Sequence, residues 1–349
     1  MPQNVNINGR SIGDGYPCYI VAEISANHNG DFQTALTMIN TAKEIGADCV
    51  KIQTYTADTL TIDSNKIYFQ INSGLWKGEN LYNLYKKAYT PWEWQESLKK
   101  EAEKIGIDFL STAYDNSSVD FLEEIGVNAY KIASFELVDI PLIKYVASKG
   151  KPIIISTGMG TLGEIEEAVS AIRSQGNNQI CLLKCSSVYP AQPEDMNYKT
   201  IQHLKNTFNL PIGISDHSLG SISAIVGVTI GANIVEKHLC LDRKIKTPDS
   251  AFSMEPGEFE KMIQEIRTTE KIVGKIEYGF KENEKLSHSY RKSIFIVKDV
   301  KKGELFTKEN VRVIRPGHGL KPKYINIILG KKANRNIEFG TPFSWELIE

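Results

Sequence analysis

The chain has 349 residues, of which 41% are hydrophobic and 24% charged, as is typical of a globular protein in water. Its formal net charge is −1, and no apolar run approaches the roughly 20 residues of a membrane span, so we expect no membrane association. Residues 1–15 lack the apolar segment of a secretory signal. The five cysteines form no CxxC pair. We therefore expect reduced thiols and a cytoplasmic location.

Eight short apolar runs alternate with amphipathic stretches, and each run ends at a polar or charged residue. Buried parallel strands have continuous apolar sequences of this kind, and their alternation with helices indicates βα units. Eight consecutive units predict a closed (β/α)₈ barrel, the TIM barrel, with its active site where the strands end. The runs occupy 21–25, 49–54, 108–112, 129–134, 152–157, 181–187, 211–217 and 233–238.

The amphipathic stretches predict helices that connect these strands. Four of the joints to the following strand share an Ile-Gly pair, where glycine ends the helix and a short turn begins. The predicted helices occupy 32–46, 92–106, 117–126, 139–150, 162–175, 196–207, 218–231 and 256–273.

After residue 274 the pattern changes. Residues 275–290 are polar and are interpreted as a linker, and residues 291–349 contain short strand-like runs that predict a small β-rich domain. These runs occupy 293–297, 311–314, 325–330 and 339–343. The domain has 13 Lys and Arg against 6 Asp and Glu, a balance of +7, so it could share an anionic ligand with the acidic remainder of the chain. No nucleic-acid recognition motif accompanies this charge.

Two histidines end consecutive predicted strands. His217 follows the seventh strand and His238 ends the eighth, so the two imidazoles should be neighbours in the barrel. Such a pair can hold one divalent ion and leave positions for substrate and water. Asp216 is a candidate for orienting His217.

Lysines stand in two strands where a barrel core would prefer valine or isoleucine. Lys51 and Lys131 either extend out of the mouth or clamp a phosphate and a carboxylate. Glu23, at the end of the first strand, either pairs with Lys51 or serves the reaction. Hydroxyl groups at the other strand ends would complete such a clamp, namely Thr112, Ser134, Ser156 and Ser215. Glu136 and Glu236 belong to the same ring of strand ends.

Several sequence motifs make the chain resemble a known family. The first 270 or so residues resemble the phosphoenolpyruvate-condensing synthases of nine-carbon 2-keto sugar acids, the sialic acid synthase family. The tail resembles the antifreeze-like (SAF, β-clip) domain that these enzymes carry. Segments 69–76 and 81–94 resemble the pseudaminic acid branch, and Ser187 stands where the sialic acid branch usually has Asn. The motifs that carry the resemblance are AEISANHNGD (22–31), KIQTYT (51–56), YKIASFE (130–136), ISTGM (155–159), GISDHS (213–218), EKH (236–238), PDSAFS (248–253) and RPGHG (315–319).

The resemblance implies a metal-dependent condensation of phosphoenolpyruvate with 2,4-diacetamido-2,4,6-trideoxy-L-altrose, the metal being Mn²⁺, Mg²⁺ or Co²⁺ at His217 and His238. The neuraminate and legionaminate synthases are the alternatives within the family. Glu23 would help place phosphoenolpyruvate and handle protons or water. The implied phosphoenolpyruvate site comprises Lys51, Thr112, Lys131, Ser134, Ser156, Ser187 and Ser215. The implied sugar site comprises Glu136, Tyr189, Glu236, Asp249 and Arg315, the last supplied by the partner subunit of a domain-swapped homodimer.

The residues alone leave two other functions possible. A Schiff-base aldolase would use one of the lysines near the strand ends, namely Lys51, Lys131, Lys184 or Lys237. A non-enzymatic protein would use the tail to bind ice or sugar. The aromatic-rich segment 68–94 follows the second strand, so it either stands over the mouth or packs a helix onto the barrel.

Overall fold

The computed structural model describes residues 4–349. The chain divides into two compact units, and the boundary between them lies between Gly274 and Lys275. The strands are β1 (Val5–Ile7), β2 (Arg10–Ile12), β3 (Tyr19–Glu23), β4 (Cys49–Thr54), β5 (Asp108–Ala113), β6 (Tyr130–Ile132), β7 (Ile153–Ser156), β8 (Ile180–Cys185), β9 (Ile212–Asp216), β10 (Ile234–His238), β11 (Ser293–Ile296) and β12 (Val311–Ile314).

The α-helices are α1 (Phe32–Glu44), α2 (Ala57–Leu60), α3 (Leu81–Ala88), α4 (Trp92–Ile105), α5 (Asn116–Glu124), α6 (Ile140–Ser148), α7 (Leu162–Ser174), α8 (Lys199–Phe208), α9 (Ile222–Thr229), α10 (Pro256–Val273), α11 (Lys285–Ser289) and α12 (Ile325–Ile328). Within residues 4–349, no helix is both long and apolar enough to cross a membrane.

Strands β3 to β10 are parallel and close a barrel in chain order, with β10 beside β3. The predicted (β/α)₈ barrel is therefore confirmed. Local sequence signals place the helices as expected: Asp31 accepts a hydrogen bond from the Thr34 amide at the start of α1, and Gly106, with φ +73°, ends α4.

Alternation along each strand decides which side chains reach the barrel interior. Val50 and Ile52 of β4 belong to the apolar layer shared with the helices, whereas Cys49 belongs to the apolar layer inside the barrel. Lys51 lies two residues after Cys49 and therefore shares its inward direction. The same argument directs Glu236 and His238 inward, because they follow the inward-facing Ile234.

A two-stranded hairpin closes the end of the barrel opposite the site. Strands β1 and β2 are antiparallel, with Val5 opposite Ile12. Their turn is Asn8-Gly9, and both residues have positive φ, as a type I′ turn requires. The buried side chains of Val5, Ile7 and Ile12 complete the inner apolar layer of the barrel.

The segment between β4 and α4 is longer than a simple turn. It contains α2, a 3₁₀ helix (Ile67–Phe69) and α3. Asn80 caps α3 by accepting hydrogen bonds from the amides of Tyr82 and Asn83. Residues 57–88 are called the β4–α4 insertion below.

The second unit has its own apolar core around the antiparallel pair β11–β12. The prediction of a strand at 325–330 is wrong, because residues 325–328 form α12. Pro322 begins a 3₁₀ turn just before it, and Ile325 and Ile328 pack on the core at helical spacing while Ile327 is exposed. The run predicted at 339–343 contributes one isolated bridge, from Pro342 to Phe295.

Candidate active site

The carboxyl ends of the barrel strands surround a cavity of about 400 Å³. Its floor and one wall consist of polar side chains from β4 to β10. Apolar and aromatic side chains of the β4–α4 insertion form the opposite wall. The sequence-predicted residues that line it are Lys51, Thr112, Lys131, Ser134, Glu136, Ser156, Tyr189, Ser215, His217, Glu236, His238 and Asp249.

Three buried charged side chains, those of Lys51, Lys131 and Glu236, lie at the floor of this cavity, and that of Glu23 lies beneath them. Lys51 contacts the Glu23 carboxylate and lies 3.6 Å from Glu236 Oε1. Lys131 Nζ lies 4.0 Å from the same Glu236 oxygen. All four side chains are almost fully buried. Two ammonium groups are thus held side by side by two carboxylates, which is a stable arrangement only because each charge has an opposite neighbour.

The pKa shifts of these groups follow from burial and from pairing. Burial lowers the pKa of Lys51, but Glu23 and Glu236 raise it by more, so its net shift is upward. Burial also lowers the pKa of Lys131, and there it outweighs the effect of Glu236. The two lysines together hold the pKa of Glu236 below its usual range against burial. Burial raises the pKa of Glu23, although Lys51 opposes this.

Hydroxyl groups surround the two ammonium groups. Lys51 Nζ donates to Thr112 Oγ1 at 3.2 Å, and Lys131 Nζ donates to Ser156 Oγ at 2.7 Å. The Gly158 amide donates to Ser134 Oγ at 3.2 Å. A β-carbon at position 158 would overlap the hydroxyls of Ser134 and Ser187, so only glycine fits there. Ser187 Oγ itself is buried without a hydrogen-bond partner within residues 4–349.

The two predicted histidines are neighbours, with ring centroids 5.4 Å apart. His217 Nδ1 donates to the Ser186 carbonyl at 2.9 Å, which leaves Nε2 as the other ring nitrogen. Burial lowers the pKa of His217, but Cys185 and the Ser186 carbonyl raise it above its ordinary value. Burial lowers the pKa of His238 far below its ordinary value, so that ring is neutral.

The histidine pair fits a divalent ion by one specific observation. His238 Nδ1 is buried and has no hydrogen-bond partner in the described chain, and the nearest carboxylate oxygen, Asp249 Oδ2, is 3.8 Å away. A neutral imidazole with an unused ring nitrogen is a suitable metal ligand. Over residues 4–349, no cluster of three or more His, Cys, Asp or Glu side chains is arranged to hold a metal. An ion here would take its other ligands from substrate and water.

The upper part of the cavity contains an unpaired carboxyl group. Glu136 Oε2 is buried with no hydrogen-bond partner within the described residues. Burial raises the pKa of Glu136 to about 7, against the opposing effect of Lys131. Such a group is available to a ligand.

Aromatic rings continue from the histidines to the β4–α4 insertion. The Tyr189 ring lies 4.4 Å from that of His217 and 5.5 Å from that of Trp76, centroid to centroid. Trp76 Nε1 donates to the Pro248 carbonyl at 2.9 Å. This bond fastens the insertion to the loop that carries Asp249. The insertion's other lining residues are Leu60, Ile71, Leu81, Leu84, Tyr85 and Ala88.

Several predicted residues lie outside the cavity lining. Glu23 is completely buried beneath Lys51, and Ser187 lies behind Gly158. Arg315 is an exposed residue of the second unit. Lys184 and Lys237 point away from the barrel interior, because they alternate with the inward-facing Cys185 and Glu236.

Other lining residues were not singled out as site residues from the sequence. Gln53 follows Lys51 on the same strand face, and its amide donates to Glu23 Oε1 at 3.3 Å and to Ser25 Oγ at 3.0 Å. Side chains on one face of a strand recur every two residues, so the position of Lys51 was sufficient to predict that Gln53 also faces the cavity. Outside the β4–α4 insertion, the remaining lining residues of this kind are Ser25, Tyr55, Tyr114, Ala133, Phe135, Cys185, Pro248 and Phe252.

Comparison with known proteins gives matches along most of the chain. A sequence profile of the NeuB family matches residues 38–278, and a profile of the SAF domain matches residues 291–349. The pseudaminic acid synthase of Campylobacter jejuni is 42% identical over 92% of this chain and 94% of its own length. The N,N'-diacetyllegionaminic acid synthase of Legionella pneumophila is 38% identical and covers 100% of both chains.

A solved structure shows the same architecture. The crystal structure of N-acetylneuraminic acid (sialic acid) synthetase from Leptospira borgpetersenii serovar Hardjo-bovis, in complex with citrate, is 33% identical. It has a TM-score of 0.74 and covers 82% of this chain and 95% of that chain.

Proposed function

The chain belongs to the NeuB family, and we propose that it condenses phosphoenolpyruvate with 2,4-diacetamido-2,4,6-trideoxy-L-altrose and water to give pseudaminic acid and phosphate. The resemblance to the family and to the SAF domain that the sequence motifs indicated is confirmed. The relative from Campylobacter jejuni supports the choice of sugar. The observation that carries the chemistry is the cavity itself, with two ammonium groups on its floor and two imidazoles beside an apolar wall.

In this proposal Lys51 and Lys131 hold the phosphate and carboxylate of phosphoenolpyruvate. The hydroxyls of Thr112, Ser134, Ser156, Ser187 and Ser215 complete the binding site. C3 of phosphoenolpyruvate attacks the aldehyde of the open-chain sugar, water adds at C2, and phosphate leaves from the tetrahedral intermediate. The ammonium groups stabilise the charge that changes on the phosphate and carboxylate. Glu23, held against Lys51, accepts or donates the proton of the added water.

His217 and His238 would hold the divalent ion, which we propose to be Mn²⁺, Mg²⁺ or Co²⁺. When bound, such an ion polarises the sugar aldehyde as a Lewis acid. The hydroxyl and amide groups of the sugar would meet Glu136, Tyr189, Glu236 and Asp249. The partly buried, unpaired Glu136 carboxyl supports this assignment.

Domain roles and assembly are part of the same proposal. Residues 1–274 would form the catalytic domain, 275–290 a linker and 291–349 the SAF domain of a cytoplasmic enzyme. Arg315 would enter the barrel mouth of the partner subunit in a domain-swapped homodimer. Its exposure and the basic balance of its domain support this role.

The legionaminate and neuraminate synthases remain the alternatives within the family, as the Legionella pneumophila relative indicates. A Schiff-base aldolase is favoured by one observation, the burial of Lys131 at the cavity floor, which lowers the pKa of its ammonium group. Borohydride reduction in the presence of a ketone substrate tests it. Our proposal expects no covalent adduct and complete loss of activity with EDTA.

The direct test is incubation with phosphoenolpyruvate, Mn²⁺ and a panel of candidate hexoses, with phosphate release as the measurement. We expect the altrose derivative to be turned over fastest.

His217→Ala and His238→Ala should each abolish turnover and retain the folded barrel, because both residues lie at the cavity and outside the apolar core. Near-wild-type turnover in either variant, in metal-controlled buffer, would contradict the histidine site.

A further inference from the structure

A completely buried ion pair lies directly behind the two histidines. Lys237 Nζ is 2.8 Å from Asp216 Oδ2, and neither side chain is exposed. The two residues are partners in the parallel register of β9 and β10, on the face opposite the cavity. The apolar layer between barrel and helices includes Ile214 and Val235, their neighbours on these strands. Burying two charges there is costly, and apolar residues would often stabilise the fold as well.

Within the described residues 4–349, the further side-chain bonds of this pair all go to Ser218, the residue that follows His217. Lys237 Nζ donates to the Ser218 carbonyl at 2.7 Å. Asp216 Oδ1 accepts hydrogen bonds from the Ser218 amide at 2.9 Å and from Ser218 Oγ at 2.7 Å. His217 is therefore flanked by Asp216 on one side and by the doubly held Ser218 on the other.

The same lysine belongs to the strand that carries the second histidine. Lys237 immediately precedes His238 on β10, whereas Ser218 lies beyond the end of β9. The register between these strands runs from Val235, opposite Ile214, to Lys237, opposite Asp216, and does not include His217. The Lys237–Ser218 bond thus continues the connection between the two strands past the point where their register ends.

We propose that Asp216 and Lys237 are positioning residues that set the separation of His217 and His238. They act through the backbone of Ser218, since their side chains lie on the opposite strand face from the cavity. The inference rests on the proposed function, because it takes the two imidazoles as the groups that hold the divalent ion. It also gives Lys237 a role other than that of a Schiff-base nucleophile.

Two neutral double variants of the full chain separate positioning from burial of charge. Asp216→Asn/Lys237→Gln retains groups that can bond to the Ser218 amide and carbonyl. Asp216→Asn/Lys237→Leu keeps the group that can bond to the Ser218 amide and loses the group that can bond to the Ser218 carbonyl. Neither variant leaves a buried charge unpaired. We expect the leucine variant to bind Mn²⁺ about 10- to 100-fold more weakly than wild type by titration calorimetry on the metal-free protein. The glutamine variant should be within about threefold of wild type.

A control variant distinguishes this effect from a general loss of stability. Lys205 is buried and pairs with Asp14 at the opposite end of the barrel, near the start of β10. Lys205→Met should lower the melting temperature and leave the Mn²⁺ affinity unchanged. In the leucine variant Mn²⁺ affinity should fall more than phosphoenolpyruvate affinity, because Lys51 and Lys131 lie on β4 and β6, whereas Lys205→Met should change neither.

Equal Mn²⁺ affinity in the two double variants would overturn the inference, as would an equal loss in Lys205→Met. These results would leave the proposed function intact, provided that His217→Ala abolishes Mn²⁺ binding. If His217→Ala binds Mn²⁺ as well as the wild type does, both the histidine site and this inference are wrong.

Discussion

At the scale of single residues, His28 is a buried histidine outside the cavity. Its Nδ1 accepts a hydrogen bond from the Gly30 amide at 3.0 Å, so Nε2 carries the proton and donates to Thr90 Oγ1 at 3.2 Å. Burial lowers the pKa of His28 to about 4. The structure assigns this residue to the link between the loop after β3 and the residues before α4.

A pH dependence of stability follows from His28. Below about pH 6.5 the unfolded chain binds a proton at this residue that the folded protein does not, so the free energy of unfolding decreases as the pH falls towards 4. The loss approaches about 3 kcal/mol. His28→Gln should remove this part of the slope in urea titrations between pH 7 and pH 4. The exposed His203→Gln is the control, and an identical slope in His28→Gln and wild type would contradict the assignment.

The sequence identified most of the polar residues around the cavity but did not separate the two faces of each strand. Lys184 and Lys237 were grouped with Lys51 and Lys131 because all four lie near strand ends. Strand alternation directs the first two away from the cavity. Distances such as that between Lys131 and Glu236 depend on contacts across the barrel, which no local pattern contains.

At the scale of elements, the barrel strands were predicted to within a few residues, because strands buried on both faces have an unmistakable apolar composition. The β4–α4 insertion was less predictable. Its helix α3 has only eight residues, and its apolar face lines the cavity instead of packing into the core, with Leu84 as its only buried residue. The N-terminal hairpin was missed although Asn8-Gly9 is a strong hairpin signal, since strands of three residues carry little pattern.

The β4–α4 insertion should select the sugar. Trp76 combines a ring next to Tyr189 with a hydrogen bond to the loop before Asp249, and both would be lost in Trp76→Ala. We expect this change to raise the KM for the sugar about tenfold, in line with the loss of apolar contact to methyl groups. The KM for phosphoenolpyruvate should stay nearly constant in steady-state assays.

Trp76→Phe is the matched variant, because it keeps an aromatic ring and loses only the bond to Pro248. An intermediate effect would assign part of the selection to that bond. Equal losses for both substrates in Trp76→Ala would contradict the selection. Faster turnover of N-acetylmannosamine than of the altrose by the wild type would contradict the pseudaminic branch.

At the scale of the whole molecule, the two compact units allow the role of the tail to be tested. A chain that ends near Lys285 retains the complete first unit and lacks Arg315. We expect it to give the far-ultraviolet circular dichroism of a folded barrel and to have no synthase activity. Full activity in this truncated chain would contradict a catalytic role for the SAF domain.

Mixed dimers test whether Arg315 acts across subunits. Neither Arg315→Ala nor His217→Ala should be active alone. Refolding an equal mixture should restore about a quarter of wild-type activity. About half of the dimers are then mixed, and one of the two mouths in each mixed dimer has both groups. Mixed dimers can be isolated with two affinity tags. No activity in them would contradict the swapped arrangement, and so would a fully active wild-type monomer.

The hairpin that closes the lower end of the barrel has a consequence for biosynthesis. It leaves the ribosome before any barrel strand, yet the inner layer that covers Val5, Ile7 and Ile12 includes Ile234 on β10, the last barrel strand to emerge. These side chains therefore stay uncovered during most of translation, when unpaired strands are prone to aggregate. Each hairpin strand is only three residues long, which limits the edge available to other nascent chains. The hairpin is thus synthesised before the barrel, yet it is among the last parts to reach its final environment.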